Sequence, residues 1–241
     1  MTDSTGAEQP KPVGLLDTAI NIIVSPSEAF AEIQRRPSIL FPLALILLST
    51  ALSLIWYFSV VDYAWYVDDV LAQSNLAGDE LEQAREQMLT MSQNVFMMFG
   101  VLGGTLGTIV YYVLQSGYLA LISALTGDGQ KFSRWFSLVC WTALPQLLAI
   151  LGMAATILLS PNGQISAFDM NPLTLRNLGI VTDNDSLNSL LNSLNLTMLW
   201  SICLLVLGYK QWQNSSLAKA VIVIVTPYLL VVSVWAFISF A

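Results

Sequence analysis

Residues 87–127 read QMLTMSQNVFMMFGVLGGTLGTIVYYVLQSGYLALISALTG, and across these 41 positions there is no Asp, Glu, Lys or Arg. The hydrocarbon core of a bilayer is about 30 Å thick and takes about 20 apolar helical residues to cross. The run is therefore one long tilted helix or a tight hairpin turning at Gly103-Gly104. Further charge-free runs cover 37–61, 135–168, 186–209 and 220–241. Trimmed of polar ends, the five runs predict helices at 40–61, 95–125, 137–159, 194–209 and 219–240. The fourth has the shortest apolar core and needs its neighbours to span.

Charge placement decides between helix and hairpin, because cytoplasmic loops collect Lys and Arg. With five spans and a cytoplasmic N-terminus, Lys11, Arg35, Arg36, Lys131, Arg134, Lys210 and Lys219 fall inside, and only Arg85 and Arg176 fall outside. Six spans remove the bias. The reading is five spans, N-terminus in and C-terminus out. Acids agree: Asp62, Asp68, Asp69, Asp79, Glu80, Glu82 and Glu86 share the first outer loop.

Composition excludes most chemistry. The AVILMFWYC set makes up 55% of the 241 residues and charged residues 10%, against about 25% charged in soluble chains. Mean hydropathy is +0.66. This is an all-α, polytopic membrane protein. A net charge of −7 argues against nucleic-acid binding. The absence of histidine removes Ser-His-Asp catalysis and His-ligated zinc or haem. Cys140 and Cys203 sit in separate apolar runs, which suits neither a disulfide framework nor a thiolate metal site. No cofactor, metal or catalytic residue is expected. The acidic outer loop lacks the oxygen spacing of an EF-hand-type loop and reads as solvated charge.

Three parts follow along the chain. Residues 1–12 form a polar tail of disordered character, 13–37 form cytoplasmic amphipathic helices, and 38–241 form the transmembrane domain. The first apolar run starts too late and is too long for a cleaved signal peptide. In 14–24, Leu15, Leu16, Ala19, Ile20 and Ile23 share a face opposite Asp17, Thr18 and Asn21, as in an interfacial helix. Ser25-Pro26-Ser27-Glu28 reads as a capping box with proline at the first helical position. Ala29, Phe30 and Ile33 then form an apolar stripe, Glu32 and Arg36 an i,i+4 pair, and Pro37 a stop. This inner surface, with Leu15, Leu16, Ile20, Phe30, Arg35, Arg36, Lys131 and Arg134, is expected to meet lipid or a partner, or else to pack on the protein's own inner loops. Outside, 79–93 reads as a polar helix running into the second span. Asp185 is placed to cap an interfacial helix carrying Leu187, Leu190, Leu191 and Leu194. Trp56, Tyr57, Tyr63, Trp65 and Tyr66 form an outer aromatic belt, and Trp135 and Trp141 an inner one.

Inside the spans the polar residues are Gln115, Ser116, Gln146, Asn195 and Thr197. Either they tie helices together, or Gln115, Gln146 and Asn195 line a cavity beside the kink that Pro145 imposes. No charge lies deep in a span, which counts against an ion-coupled pump. Gly100, Gly103, Gly104 and Gly107 form overlapping GxxxG spacings, a face for close helix approach within the monomer or at a dimer seam. Leu119 is expected to face lipid.

The order of these features resembles the Yip family of five-span membrane proteins, specifically its bacterial branch, over nearly the whole length from Gly14. The resemblance rests on Ser25-Pro26-x-Glu28-Ala29-Phe30-x-x-Ile33 with Pro37 and Pro42. It continues in Phe132-Ser133-x-x-Phe136-Ser137 leading to Ala143-Leu144-Pro145, and in Leu199-Trp200, Leu207-Gly208 and Lys219-Ala220. It implies a five-helix bundle with a cytosolic N-terminus and, for the bacterial branch, the inner membrane. Eukaryotic members bind Rab-type GTPases; their DLYGP-type motif before the first span is absent here, so GTPase binding is not carried over. The expected partners are the bilayer, other membrane proteins or a second copy.

Three functional classes follow. A non-enzymatic scaffold, lipid-organising module or complex subunit leads. A passive transporter, channel or lipid scramblase with a path near Gln115, Gln146 and Asn195 is the alternative. An enzyme has only carboxylates near the outer surface, such as Asp62 and Asp69, to use. The topology is open to test. A cysteine added after Ala241 should react with an impermeant thiol reagent from outside, and one at Gly129 should not; labelling at Gly129 in intact cells would favour the hairpin.

Overall fold

The computed structural model describes residues 13–74 and 76–240, apart from the side chains of 185 and 238–240. The tail expected over 1–12 lies outside these. Every regular element among the described residues is helical: α1 (Leu15–Val24), α2 (Pro26–Arg35), α3 (Leu40–Val60), α4 (Tyr63–Ala72), α5 (Asp79–Thr90), α6 (Gln93–Thr126), α7 (Phe132–Thr142), α8 (Gln146–Leu159), α9 (Asp185–Ser193), α10 (Leu196–Trp212) and α11 (Leu217–Phe240). Four stretches are long and apolar enough to cross a membrane: Leu40–Val60, Gln93–Thr126, Phe132–Leu159 and Leu217–Phe237. At 17 residues, α10 reaches about 26 Å, short of the full core thickness.

The run that opened the argument is one uninterrupted 34-residue helix, and Gly103-Gly104 lies inside it. It ends at Gly127, whose φ of 72° is left-handed and so suits a residue without Cβ. The Phe132–Leu159 stretch breaks where proline demands. Pro145 has no N–H for the Trp141 carbonyl, and Leu144 N donates to that carbonyl instead, at 3.3 Å. The chain turns through 143–145 before α8 begins.

Two cores hold the bundle. The first gathers Phe30 and Ile33 of α2, Trp135, Leu138 and Trp141 of α7, and Leu205, Tyr209 and Trp212 of α10. The second lies at the opposite end, around Tyr57, Phe58, Tyr66, Val67, Met153 and Ile165. Here α4 and α5 fold against each other outside the bundle. Arg85 clamps Asp68 through Nε at 2.6 Å and Nη2 at 3.2 Å, and this hydrogen bonding holds the Asp68 carboxyl below the ordinary carboxylate range. Tyr63 Oη donates to the Met88 carbonyl at 2.8 Å. The loop after α8 closes the same end. Tyr57 Oη donates to the Ile165 carbonyl and Ser166 Oγ to Asp69 Oδ2, at 2.8 and 2.7 Å. Gly163 sits at φ 69°, and a Cβ there would collide with the Val60 carbonyl oxygen.

Several expectations are corrected. The polar helix over 79–93 does not run into α6, because Met91 and Ser92 are extended. Ser25 sits at the start of α2 and Pro26 at its first position, but the Ser25 side chain makes no capping bond. Asn184 rather than Asp185 caps α9, accepting from Leu187 N at 3.0 Å. Among the described residues the ion pair is Arg85–Asp68, not Glu32–Arg36. Trp135 and Trp141, expected in an inner belt, are fully buried, as is Tyr57 of the expected outer belt, while Tyr66 is 8% exposed. Leu119, expected against lipid, is 0% exposed.

The glycine face divides. A Cβ at Gly100 would lie 2.8 Å from the Phe58 ring, and one at Gly104 would lie 3.0 Å from Leu54 Cδ1. Both neighbours belong to α3. At Gly103 and Gly107 a Cβ would meet nothing within 4 Å, so among the described residues these two have no close neighbour. Gly100→Leu and Gly104→Leu should each cost about 1–3 kcal/mol, the usual penalty of overpacking. Gly103→Leu and Gly107→Leu should leave the melting temperature of the detergent-solubilised protein unchanged. Equal losses at all four would show that something outside the monomer covers the second pair.

Candidate functional site

Two regions bring the sequence-derived residues together: the polar centre of the bundle and the surface at its N-terminal end. In the centre, Tyr112 of α6 donates its hydroxyl to Gln146 Oε1 at 3.0 Å. Gln115 Nε2 donates to the Tyr228 hydroxyl of α11, which lies 3.0 Å from the Tyr111 hydroxyl. These side chains and Thr142, Met198, Ser201 and Leu205 surround a cavity of about 20 Å³, room for about one water.

Gln115 and Gln146 thus line one small space, as the cavity reading expects, but their amide groups are engaged with tyrosines. Asn195 does not join them. Its Oδ1 accepts from Met198 N at 2.8 Å and Thr197 Oγ1 at 2.6 Å, so it caps α10 at the loop end. Pro145 is buried at the helix break and outside the cavity lining. The residues that sequence reasoning missed are Tyr111, Tyr112 and Tyr228. Hydropathy counts tyrosine among the apolar set, and its hydroxyl at membrane depth was the available signal.

At the N-terminal end, α1 and α2 behave differently despite similar patterns. Phe30 was expected at the lipid or partner surface, yet it is 0% exposed, with Ala29 and Ile33 at 1%. The Trp212 indole donates to the Phe30 carbonyl at 3.0 Å, and Gln211 Nε2 to the Ser27 carbonyl at 2.9 Å. The α2 stripe is a packing face. On α1, Thr18 and Ile22 turn inward, with the Thr18 hydroxyl satisfied by the Gly14 carbonyl at 2.9 Å. Leu15, Leu16, Ile20, Ile23 and Val24 stay exposed, Leu16 by 70%. Arg35, Arg36, Lys131 and Arg134 are exposed too, and none is paired with an acid among the described residues.

The Yip1 domain family model matches residues 20–238, which takes in the polar centre and the N-terminal surface from Ile20 onward. A similar protein is the "Membrane protein YknW" of Bacillus subtilis (strain 168), 26% identical over 191 residues, covering 78% of this chain and 74% of that one. Neither carries an enzyme's name. No solved structure matches.

The centre generates a test of the cross-tie. Gln146→Leu and Tyr112→Phe should each change stability by about 1 kcal/mol or less. The double variant should lose less than the sum of the two, because both remove the same bond. Strict additivity would mean that the bond contributes nothing.

Proposed function

The chain belongs to the Yip1 domain family, and on that premise we propose that it is a non-enzymatic membrane-organising scaffold or partner-binding subunit. Its working surface is the inner end of the bundle. The observation that carries this reading is the outward apolar face of α1, with Leu16, Ile20 and Val24 at 70%, 59% and 71% exposure. That face is a surface helix's lipid-binding side, and the unpaired Arg35 and Arg36 nearby suit an anionic leaflet.

The topology belongs to the same reading. Five spans, with the short α10 as the fourth, put α1 and α2 in the cytoplasm and the α4–α5 pair outside. Packing against α11, α2 and α7 helps a 17-residue helix to cross. We place the protein in a bacterial cytoplasmic membrane, in keeping with the bacterial relative. The passage reading draws less support, since the central cavity is about 20 Å³ and its polar groups engage one another.

Reconstitution tests the proposal. An environment-sensitive dye on Leu16→Cys should report a hydrocarbon setting in liposomes containing anionic lipid. It should shift toward water in zwitterionic liposomes at high salt. Solute flux and lipid scrambling should stay at the level of empty liposomes. A water-exposed dye under all conditions would remove the basis of the proposal. A flux that Gln146→Leu abolishes with stability intact would move the assignment to a transporter.

A further inference from the structure

Prolines interrupt two of the membrane helices, and the surroundings of the two breaks differ. At Pro145 the chain is buried on both sides, through Leu144 before it and Met153 after it. Pro227 lies inside α11, and there the two sides are unlike. Before it, Ala220 and Ile224 are fully buried in the first core. Beyond it no described side chain is buried, and Leu229, Leu230, Val231, Val234 and Phe237 are all exposed. Among the described residues, no side-chain hydrogen bond holds α11 beyond Tyr228.

The backbone at this proline is already loosened. Pro227 has no N–H for the Val223 carbonyl four residues back, and its ring crowds that carbonyl. The Tyr118 hydroxyl of α6 donates to it instead, at 2.8 Å. One residue earlier, the Ile222 carbonyl accepts from the Thr226 hydroxyl at 2.6 Å, a bond that weakens a helical turn and bends it. Two successive carbonyls of one turn are thus bonded to side chains. Just past the proline, the Tyr228 hydroxyl lies 3.0 Å from that of Tyr111. Ties to α6 on both sides of Pro227 fix a pivot there.

The unpacked half of α11 also borders empty space. Between α6, α10 and α11 lies a groove of about 790 Å³, walled by Leu114 and Leu119, by Ile202, and by Val231, Val232 and Trp235. Helices in lipid are held by close packing rather than by a hydrophobic force, so walls that stand apart forgo the contacts available to them. The nine residues from Tyr228 to Phe237 span about 14 Å, and a bend of about 20° at Pro227 carries the far end about 5 Å. That is about half the 8–10 Å separation of packed helices.

We propose that Pro227 is a hinge and the outer half of α11 a movable wall. It swings against α6 to close the groove and away to open it to the membrane.

Electron paramagnetic resonance on the full-length protein in nanodiscs tests this, with spin labels on Leu102→Cys of α6 and Phe237→Cys of α11. Cys203→Ala removes the exposed native thiol, and Cys140 is buried. A second labelled pair, Leu125→Cys and Leu217→Cys, reports on the inner half. The outer pair should show two distances about 5 Å apart, as the 20° bend requires, and the inner pair one. Pro227→Ala restores the missing N–H and should reduce the outer pair to a single distance. Val232→Phe or, if that fails to fold, Val231→Phe should occupy the groove and remove the shorter distance. Four results would each overturn the proposal. They are a single outer distance in the unsubstituted hinge, two distances in both pairs, two outer distances in Pro227→Ala, or a shorter distance that survives a folded groove-filling variant.

Discussion

At Gly208, three helices come as near to one another as their side chains allow, and the rest of the bundle is arranged around that contact. A Cβ at this position would lie 2.8 Å from Leu138 Cδ1 of α7 and 3.3 Å from Phe30 Cε1 of α2. The absence of a side chain lets α10 seat against both. Around this point Trp135 stacks on Tyr209 with ring centroids 5.6 Å apart, and Trp212 fixes α2 through the Phe30 carbonyl. Ser137 Oγ and Trp141 Nε1 both donate to the Ser38 carbonyl at 2.9 Å, which sets where the chain enters α3. Of the residues that carry the family resemblance, Phe30 and Gly208 are far apart in sequence and adjacent here.

Inside the hydrocarbon a different constraint operates: every polar group must find a partner within the protein. Most hydroxyls meet it on their own helix. Thr108, Thr156 and Ser201 bond carbonyls four residues back, at 2.8 to 3.2 Å, and so leave helix packing to shape. Among the described residues, Gln115, Tyr111, Tyr112, Tyr118, Gln146 and Tyr228 reach between helices at depth. Tyr118 on the Val223 carbonyl, at 2.8 Å, and the Gln115–Tyr228–Tyr111 cluster tie α11 to α6.

The sequence by itself determined the class of protein, the existence of the main helices, and the choice of one helix over a hairpin for α6. These follow from quantities the chain carries openly: runs without charge, the asymmetry of nine cations, and prolines at 37 and 145. Tertiary structure decided which faces meet. Gly100 and Gly104 contact α3 while Gly103 and Gly107 do not, because small residues permit close approach without aiming it. Leu119 is buried and Leu114 is 68% exposed, yet the two are alike in sequence. In water, apolar periodicity marks the inside of a helix; in a bilayer both surroundings are apolar and that mark is lost. The same reason separates α1 from α2. Their amphipathic patterns match, and the extensive packing of α10 on α2 turns its stripe into core while the apolar face of α1 is left outward.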